Sequence, residues 1–203
     1  LGMYLFLMGK YLEKTESTDL PESWKNGISL ALKKIQSLMQ DGITQVSEEN
    51  TTVYLMDNLE VWKGLYELEL AGLEDTQAIS EIRKKIQKQI EKIFWDDVNQ
   101  RWRIIGNSDR YYQTEFYPDG VAQIYPLIYE FPVKEKKKQK VLYDQFTERF
   151  QWQKLNKKRT GFLWAMTGMA AAQMRDINNL VELVGNYETE YCKERKYPLY
   201  TGE

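Results

Sequence analysis

Residues 162–174 read FLWAMTGMAAAQM and contain no charged side chain. A helix that is apolar on every side must be surrounded by other protein segments, because it has no polar face to turn toward water. Three further segments, near residues 2–13, 54–71 and 119–131, are apolar over most of their length. These four segments predict interior helices of an all-α fold, with more than half of the residues in helix.

Amphipathic segments alternate with the apolar ones. At residues 28–39 apolar side chains recur every three or four positions, and the same period returns near residues 79–93, 142–150 and 176–191. Hairpins of one buried and one half-exposed helix stack into solenoids or close into toroids. The order therefore predicts a single domain, residues 1–203, with about four helical hairpins arranged as a solenoid or a toroid.

Two connections between the predicted hairpins are long, at residues 41–52 and 96–117. Loops of this length in a compact domain usually carry function or secondary structure of their own. Short strands are predicted within them, at residues 43–46 and 101–105.

The composition excludes several classes of site. The chain has no histidine, which removes Ser-His-Asp and Cys-His catalysis and histidine metal ligands. The single cysteine, Cys192, excludes a disulfide within the chain. The formal net charge of −2 disfavours a general nucleic-acid binder. Asp96-Asp97 lacks the spaced oxygens of a calcium loop and predicts a capped turn, so no metal site and no cofactor are expected.

The apolar run at residues 1–8 is far too short to span a bilayer, so no membrane span is expected. The chain begins with Leu1, and no basic region precedes the apolar run as in a signal peptide. We therefore expect a longer protein with residues upstream. Extracellular and cytoplasmic locations both stay open, as does the oligomeric state.

Two aspartates near the starts of predicted interior helices are the candidate catalytic groups. Asp57 lies at the start of the second interior helix, and Asp119, after Pro118, lies at the start of the third. The long loops should bring these starts to one end of adjacent hairpins, so both carboxylates are predicted to face one cleft. Such a pair can hydrolyse a glycosidic bond: one carboxyl protonates the leaving oxygen, and the other activates water or attacks. The alternative for each aspartate is capping of its own helix.

Two stretches resemble a known group of proteins. They are YLMDNLEVWKGL at residues 54–65 and FYPDGVAQIYP at residues 116–126, with DGIT at residues 41–44 before them. They are similar to bacterial six-hairpin glycosidase-like proteins, which are (α/α)6 toroids related to inverting endoglucanases and other glycoside hydrolases. The resemblance implies six hairpins, so that the chain, with about four, would be the C-terminal part of an incomplete α/α toroid.

The function implied by the resemblance is hydrolysis of a poly- or oligosaccharide with water and without a cofactor. Asp57 and Asp119 would be the catalytic residues. The carbohydrate would contact aromatic and amide side chains near them, namely Tyr54, Asn58, Trp62, Tyr112, Tyr117 and Gln123. Two other hypotheses stay open. One is a polysaccharide lyase on the same fold, in which a tyrosine abstracts a proton, and the other is a non-catalytic helical scaffold that binds glycan or peptide.

Overall fold

The computed structural model describes residues 1–16, 19–73, 76–106, 108, 115–133, 136–155 and 164–189. Helices account for 70% of this part of the chain, and each strand within it has two residues. The all-α prediction is therefore confirmed. Within the same residues, no helix combines the length and the apolar composition that crossing a membrane requires.

The chain divides into two compact units, Leu1–Arg110 and Tyr111–Glu203. In chain order, the described part of the first unit contains α1 (Gly2–Thr15), α2 (Glu22–Leu38), β1 (Met39–Gln40), β2 (Ile43–Thr44), α3 (Leu55–Leu70), α4 (Thr76–Phe94), β3 (Trp95–Asp96) and β4 (Arg101–Trp102). The described part of the second unit contains a π-helical turn (Phe116–Gly120), α5 (Val121–Ile128), α6 (Lys136–Phe150), a 3₁₀ turn (Trp152–Lys154), α7 (Thr167–Met174) and α8 (Ile177–Tyr187).

Each predicted helix has a counterpart in the structure. The amphipathic segments form α2, α4, α6 and α8, and the apolar segments form α1, α3, α5 and α7. Every residue of α5 except Gln123 is buried, as expected of an interior helix. In contrast, α1 and α7 bury only part of their surface, since Met3, Leu7 and Met169 are 42%, 59% and 46% exposed. The single domain and the closure of its hairpins into a toroid stay predictions.

Helices α1 and α3 run parallel in close backbone contact. A Cβ atom built on Gly9 would lie 2.6 Å from Cβ of Glu67, and one built on Gly2 would overlap the backbone of Glu60. From the first contact to the second, the residue number decreases by seven in both helices, so the two helices are parallel. Gly64 of α3 faces Gly2 in the same way. Glycine permits this approach because it has no side chain.

Gly64→Ala is expected to lower the free energy of unfolding by about 1–3 kcal/mol, because the new methyl group would overlap the carbonyl oxygen of Gly2. Gly185→Ala in α8 is the matched control, since no described atom lies within 4 Å of its added Cβ. This control should stabilise the protein by about 0.5–1 kcal/mol through better helix propensity. Urea unfolding measures both changes. A stabilising Gly64→Ala would contradict the close contact between α1 and α3.

A buried ion cluster also joins α1 to α3. The Glu67 side chain is 3% exposed, and its Oε1 lies 2.8 Å from Nζ of Lys63, which is 6% exposed. The Oε2 of Glu67 lies 2.9 Å from Nζ of Lys10 on α1. Charges inside a protein are stable only when they are paired. The cluster therefore fixes how the two parallel helices align.

Two short antiparallel hairpins come directly after the amphipathic helices α2 and α4. Strands β1 and β2 pair with Met39 opposite Thr44, and the turn between them is Asp41-Gly42, with φ of 52° and 85°. Positive φ at both central residues is the geometry that Asp-Gly favours in two-residue hairpins. Strands β3 and β4 pair with Trp95 opposite Trp102. The short strands predicted near residues 43 and 101 are therefore present, although each is shorter than predicted.

Candidate functional site

The start of α3 is held by the segment that comes after the second hairpin. The backbone N–H of Leu55 donates to the carbonyl oxygen of Ile104 at 2.9 Å, and that of Gly106 donates to Val53 at 3.0 Å. Tyr54 forms an antiparallel bridge with Ile105 between these bonds. The residues that lead into α3 are therefore fixed on one side by backbone pairing.

The first hairpin holds the same helix start from Thr44. The Oδ1 of Asn58 accepts from the backbone N–H of Thr44 at 2.9 Å and from its hydroxyl at 2.7 Å. The Nδ2 of Asn58 donates to the carbonyl oxygens of Thr44 and Tyr54, both at 2.9 Å. Asn58 has no exposed surface. Its amide group thus joins three backbone positions and makes the β1–β2 hairpin part of the helix start.

Asp57 lies in this fixed first turn of α3. Its carboxylate takes part in no hydrogen bond or ion pair among the described residues, and no side chain caps the helix. Burial raises the pKa of Asp57 above its ordinary value. The residue as a whole is nevertheless exposed. Asp57 is therefore an accessible carboxyl group whose pKa lies above that of an ordinary aspartate.

Asp119 lies in the π-helical turn before α5 and is 2% exposed. Phe116 of the same turn packs on two rings of α6, with centroids 5.6 Å from Phe146 and 5.4 Å from Phe150. The carbonyl oxygen of Asp119 accepts from Nε2 of Gln123 at 3.3 Å. Aromatic packing thus fixes the turn that carries Asp119. Because Asp57 and Asp119 lie in different compact units, their shared cleft stays a prediction.

The predicted carbohydrate-binding residues differ in accessibility. Trp62 is 2% exposed and stacks on Tyr66 with ring centroids 5.5 Å apart, so it is a core side chain. Asn58 supports the loop from a fully buried position, and contacts of Trp62 and Asn58 with a carbohydrate stay predictions. Of the remaining predicted residues, Tyr117 is 52% exposed. Tyr54 and Gln123 are half-buried, and Tyr112 lies outside the described residues.

The capped turn predicted at Asp96 is confirmed. The Oδ1 of Asp96 accepts from the backbone N–H groups of Val98 and Asn99 at 2.9 and 3.1 Å, and its Oδ2 accepts from the Asn99 side chain at 3.0 Å. The bonds from Asn99 are the main reason that the pKa of Asp96 falls to about 2, and Arg103 adds to the effect. Within the described residues, no group of three or more potential metal ligands occurs.

Asp96 should make the stability of the fold depend on acid pH. The pKa of Asp96 is about 2 in the folded protein, against an ordinary 3.8. Its ionised form therefore stabilises the fold at pH values above 3.8. That contribution is lost as the pH falls toward 2. Urea midpoints measured from about pH 5 to about pH 2.5 should therefore fall less steeply for Asp96→Asn than for the parent. Asp144→Asn, which removes an exposed carboxylate of α6, is the matched control.

Thr44 and the segment at residues 104–106 were not recognised from the sequence as parts of the site. The segment at residues 104–106 acts through backbone groups, which every residue type has, so its side chains give no signal. Thr44 acts through its hydroxyl as well, but mainly through its backbone N–H and carbonyl oxygen. The Asp41-Gly42 turn just before Thr44 is the one local feature that could have indicated a hairpin ending beside α3.

Comparison with protein-family models, with curated proteins and with solved structures finds no significant match to this chain. The resemblance to six-hairpin glycosidases therefore stays a prediction. A function for the site has to rest on the chemistry of its own residues.

Proposed function

We propose that this chain belongs to a glycoside hydrolase of the α/α toroid type, which cleaves a poly- or oligosaccharide with Asp57 and Asp119 as its carboxylate pair. Asp57 carries the proposal. It is an accessible carboxyl group with no hydrogen-bonding or ion-pair partner among the described residues, at a helix start that two loops hold in place. A carboxylate that only capped its helix would accept backbone N–H groups, and Asp57 does not.

The environment of Asp57 suits the role of general acid. A proton donor must still carry its proton when the substrate binds, and enclosure that raises the pKa favours the protonated form. In the proposed reaction, Asp57 gives its proton to the glycosidic oxygen as the bond to the anomeric carbon breaks. Asp119 either accepts a proton from the attacking water or first attacks the anomeric carbon itself. The separation of the two groups would decide between these routes.

The packing of the first unit supports the toroid part of the proposal. In an α/α toroid, each inner helix is followed by an outer helix that returns the chain to the start of the next inner helix. Consecutive inner helices are therefore parallel neighbours. Helices α1 and α3 have this relation, with α2 between them in sequence. The buried face of α2, formed by Ile28, Ala31, Ile35 and Leu38, is that of a half-exposed outer helix.

An assay with a panel of polymers tests the proposed activity. The full-length protein, with the residues expected upstream, is incubated with carboxymethylcellulose, mixed-linkage glucan, xylan, chitosan, starch and polygalacturonate, and new reducing ends are measured. At least one polymer should yield saturated products that contain the elements of water. Release of unsaturated products would contradict hydrolysis and favour the lyase hypothesis. A folded full-length protein that releases no reducing ends from any of the six polymers would contradict both.

A further inference from the structure

An aromatic pair lies exposed where α1 packs against α2. Tyr11 of α1 and Trp24 of α2 are 41% and 37% exposed, and their ring centroids are 5.1 Å apart at an interplanar angle of 75°. We propose that this pair is a non-catalytic binding surface on which a ring of a neutral glycan stacks. The inference rests on the proposed function for its class of ligand, since the proposed substrate is a poly- or oligosaccharide.

The pair combines apolar ring faces with unused polar groups. Because the ring planes are nearly perpendicular, they form a corner in which a sugar can stack on one ring and touch the other. Among the described residues, the indole N–H of Trp24 and the hydroxyl of Tyr11 make no hydrogen bond. A β-linked pyranose has an apolar C–H face and outward hydroxyl groups, so it can use both features of the pair at once.

Packing of α1 against α2 does not by itself account for the pair. Only the surface that is removed from water contributes to packing, and both rings keep more than a third of theirs exposed. Leu7, one turn before Tyr11 on α1, is 59% exposed as well. Single apolar side chains at a surface are ordinary, whereas adjoining ones mark a site of interaction.

The charges near the pair favour a neutral glycan over an acidic one. Lys14 lies in the last turn of α1, and Lys25 follows Trp24 in α2. Nζ of Lys25 lies 4.0 Å from Oδ1 of Asp19, and Glu22 lies in the first turn of α2. Because charges of both signs surround the rings, a polyanion would meet repulsion as well as attraction.

The pair lies far from Asp57 within the same compact unit. Helices α1 and α3 are parallel with Gly2 beside Glu60, so Asp57 lies about one turn before the start of α1. Tyr11 lies in the third turn of α1. At 1.5 Å per residue, Asp57 and Tyr11 are about 18 Å apart along the helices. A glycan on the aromatic pair therefore leaves the Asp57 carboxyl group free.

The test is an NMR titration of the ¹⁵N-labelled full-length protein, in the Asp57→Asn form, with cellohexaose or xylohexaose. The indole N–H signal of Trp24, assigned by its absence in Trp24→Phe, should shift because the free N–H gains a sugar hydroxyl as a partner. The signals of Trp62 and Trp102 should not move, since both side chains are buried. The Kd is taken from the Trp24 signal and therefore reports this surface alone.

Variants of the second ring measure its share of the binding. Tyr11→Ala should raise the Kd by about 3–10-fold, because it removes one wall of the corner. Tyr11→Phe should raise it by less, because it keeps the ring and loses only the hydroxyl. Leu30→Ala is the matched control, at a side chain of α2 that is 67% exposed, and should keep the parent Kd.

A Trp24 signal that neither hexamer shifts would overturn the proposal. So would a parent Kd in Tyr11→Ala or, if that variant does not fold, in Tyr11→Phe. A stronger response to a galacturonate hexamer would contradict a neutral ligand. A signal that moves with protein concentration instead would show a contact between proteins and overturn the glycan surface.

Failure of this inference is distinct from failure of the proposed function. A shifted Trp24 signal in a protein whose parent hydrolyses none of the polymers would remove the proposed function and leave the binding surface standing. Hydrolysis by the parent together with an unshifted Trp24 signal would do the reverse.

Discussion

In the full-length protein, Asp57→Asn is expected to lower kcat for glycan hydrolysis by about 10²–10⁴-fold, the range that removal of a general acid or base produces. Asparagine keeps the size of the side chain but has no proton to give to the leaving oxygen. The fold should survive, because the Asp57 carboxylate makes no hydrogen bond or ion pair among the described residues. Asp119→Asn should produce a loss in the same range. The measurement is kcat on whichever polymer the parent cleaves, with circular dichroism to confirm folding.

Asp144→Asn is the matched control for these two variants, since Asp144 is an exposed aspartate that pairs with Lys140 on α6. Its kcat should equal that of the parent. Parent rates in both Asp57→Asn and Asp119→Asn would contradict the site assignment, although not the fold.

Glu67→Gln is expected to lower the free energy of unfolding by about 3–5 kcal/mol, the usual cost of breaking a buried ion pair from one side. The variant would leave the ammonium group of Lys63, 6% exposed, without the carboxylate 2.8 Å away. It would also remove the link to Lys10 on α1. Urea unfolding measures the loss.

Two variants show whether this loss arises from the buried charge. Glu13 also pairs with Lys10, but it is 54% exposed, so Glu13→Gln should change the urea midpoint little. The double variant Lys63→Met, Glu67→Leu replaces the buried pair by apolar groups and should recover most of the stability. A Glu67→Gln chain as stable as the parent would show that the cluster does not join α1 to α3.

The spacing of apolar residues predicted the helices, because a helix that buries one face places an apolar residue there every three or four positions. In α4, Ile79, Ile82, Ile86 and Ile90 recur at helical spacing, and all four are buried. The hairpin at Asp41-Gly42 was equally accessible to prediction, since few residue pairs adopt positive φ at two successive positions. These features depend on local sequence alone.

The role of each site residue depends on which other segments pack against its face of the helix. The local sequence does not contain that information. Successive residues of an α-helix point about 100° apart. Asp57 and Asn58 are neighbours in sequence, yet one keeps exposed surface and the other is fully buried against Thr44. Trp62, five positions on, packs against Tyr66 in the core. Closeness to a carboxylate in the sequence therefore does not by itself place an aromatic side chain at the surface.

A double-mutant cycle on Asp57 and Asp119 tests the central claim, that the two carboxyl groups act together on one glycosidic bond. Hydrolysis rates are measured for the parent, Asp57→Asn, Asp119→Asn and the double variant on the same polymer. When two residues act as a unit, the effects of replacing them do not add, because losing either one already removes the step that they share. The double variant should therefore be no slower than the slower single variant, within experimental error. Losses that multiply in the double variant would show two independent roles and contradict the carboxylate pair.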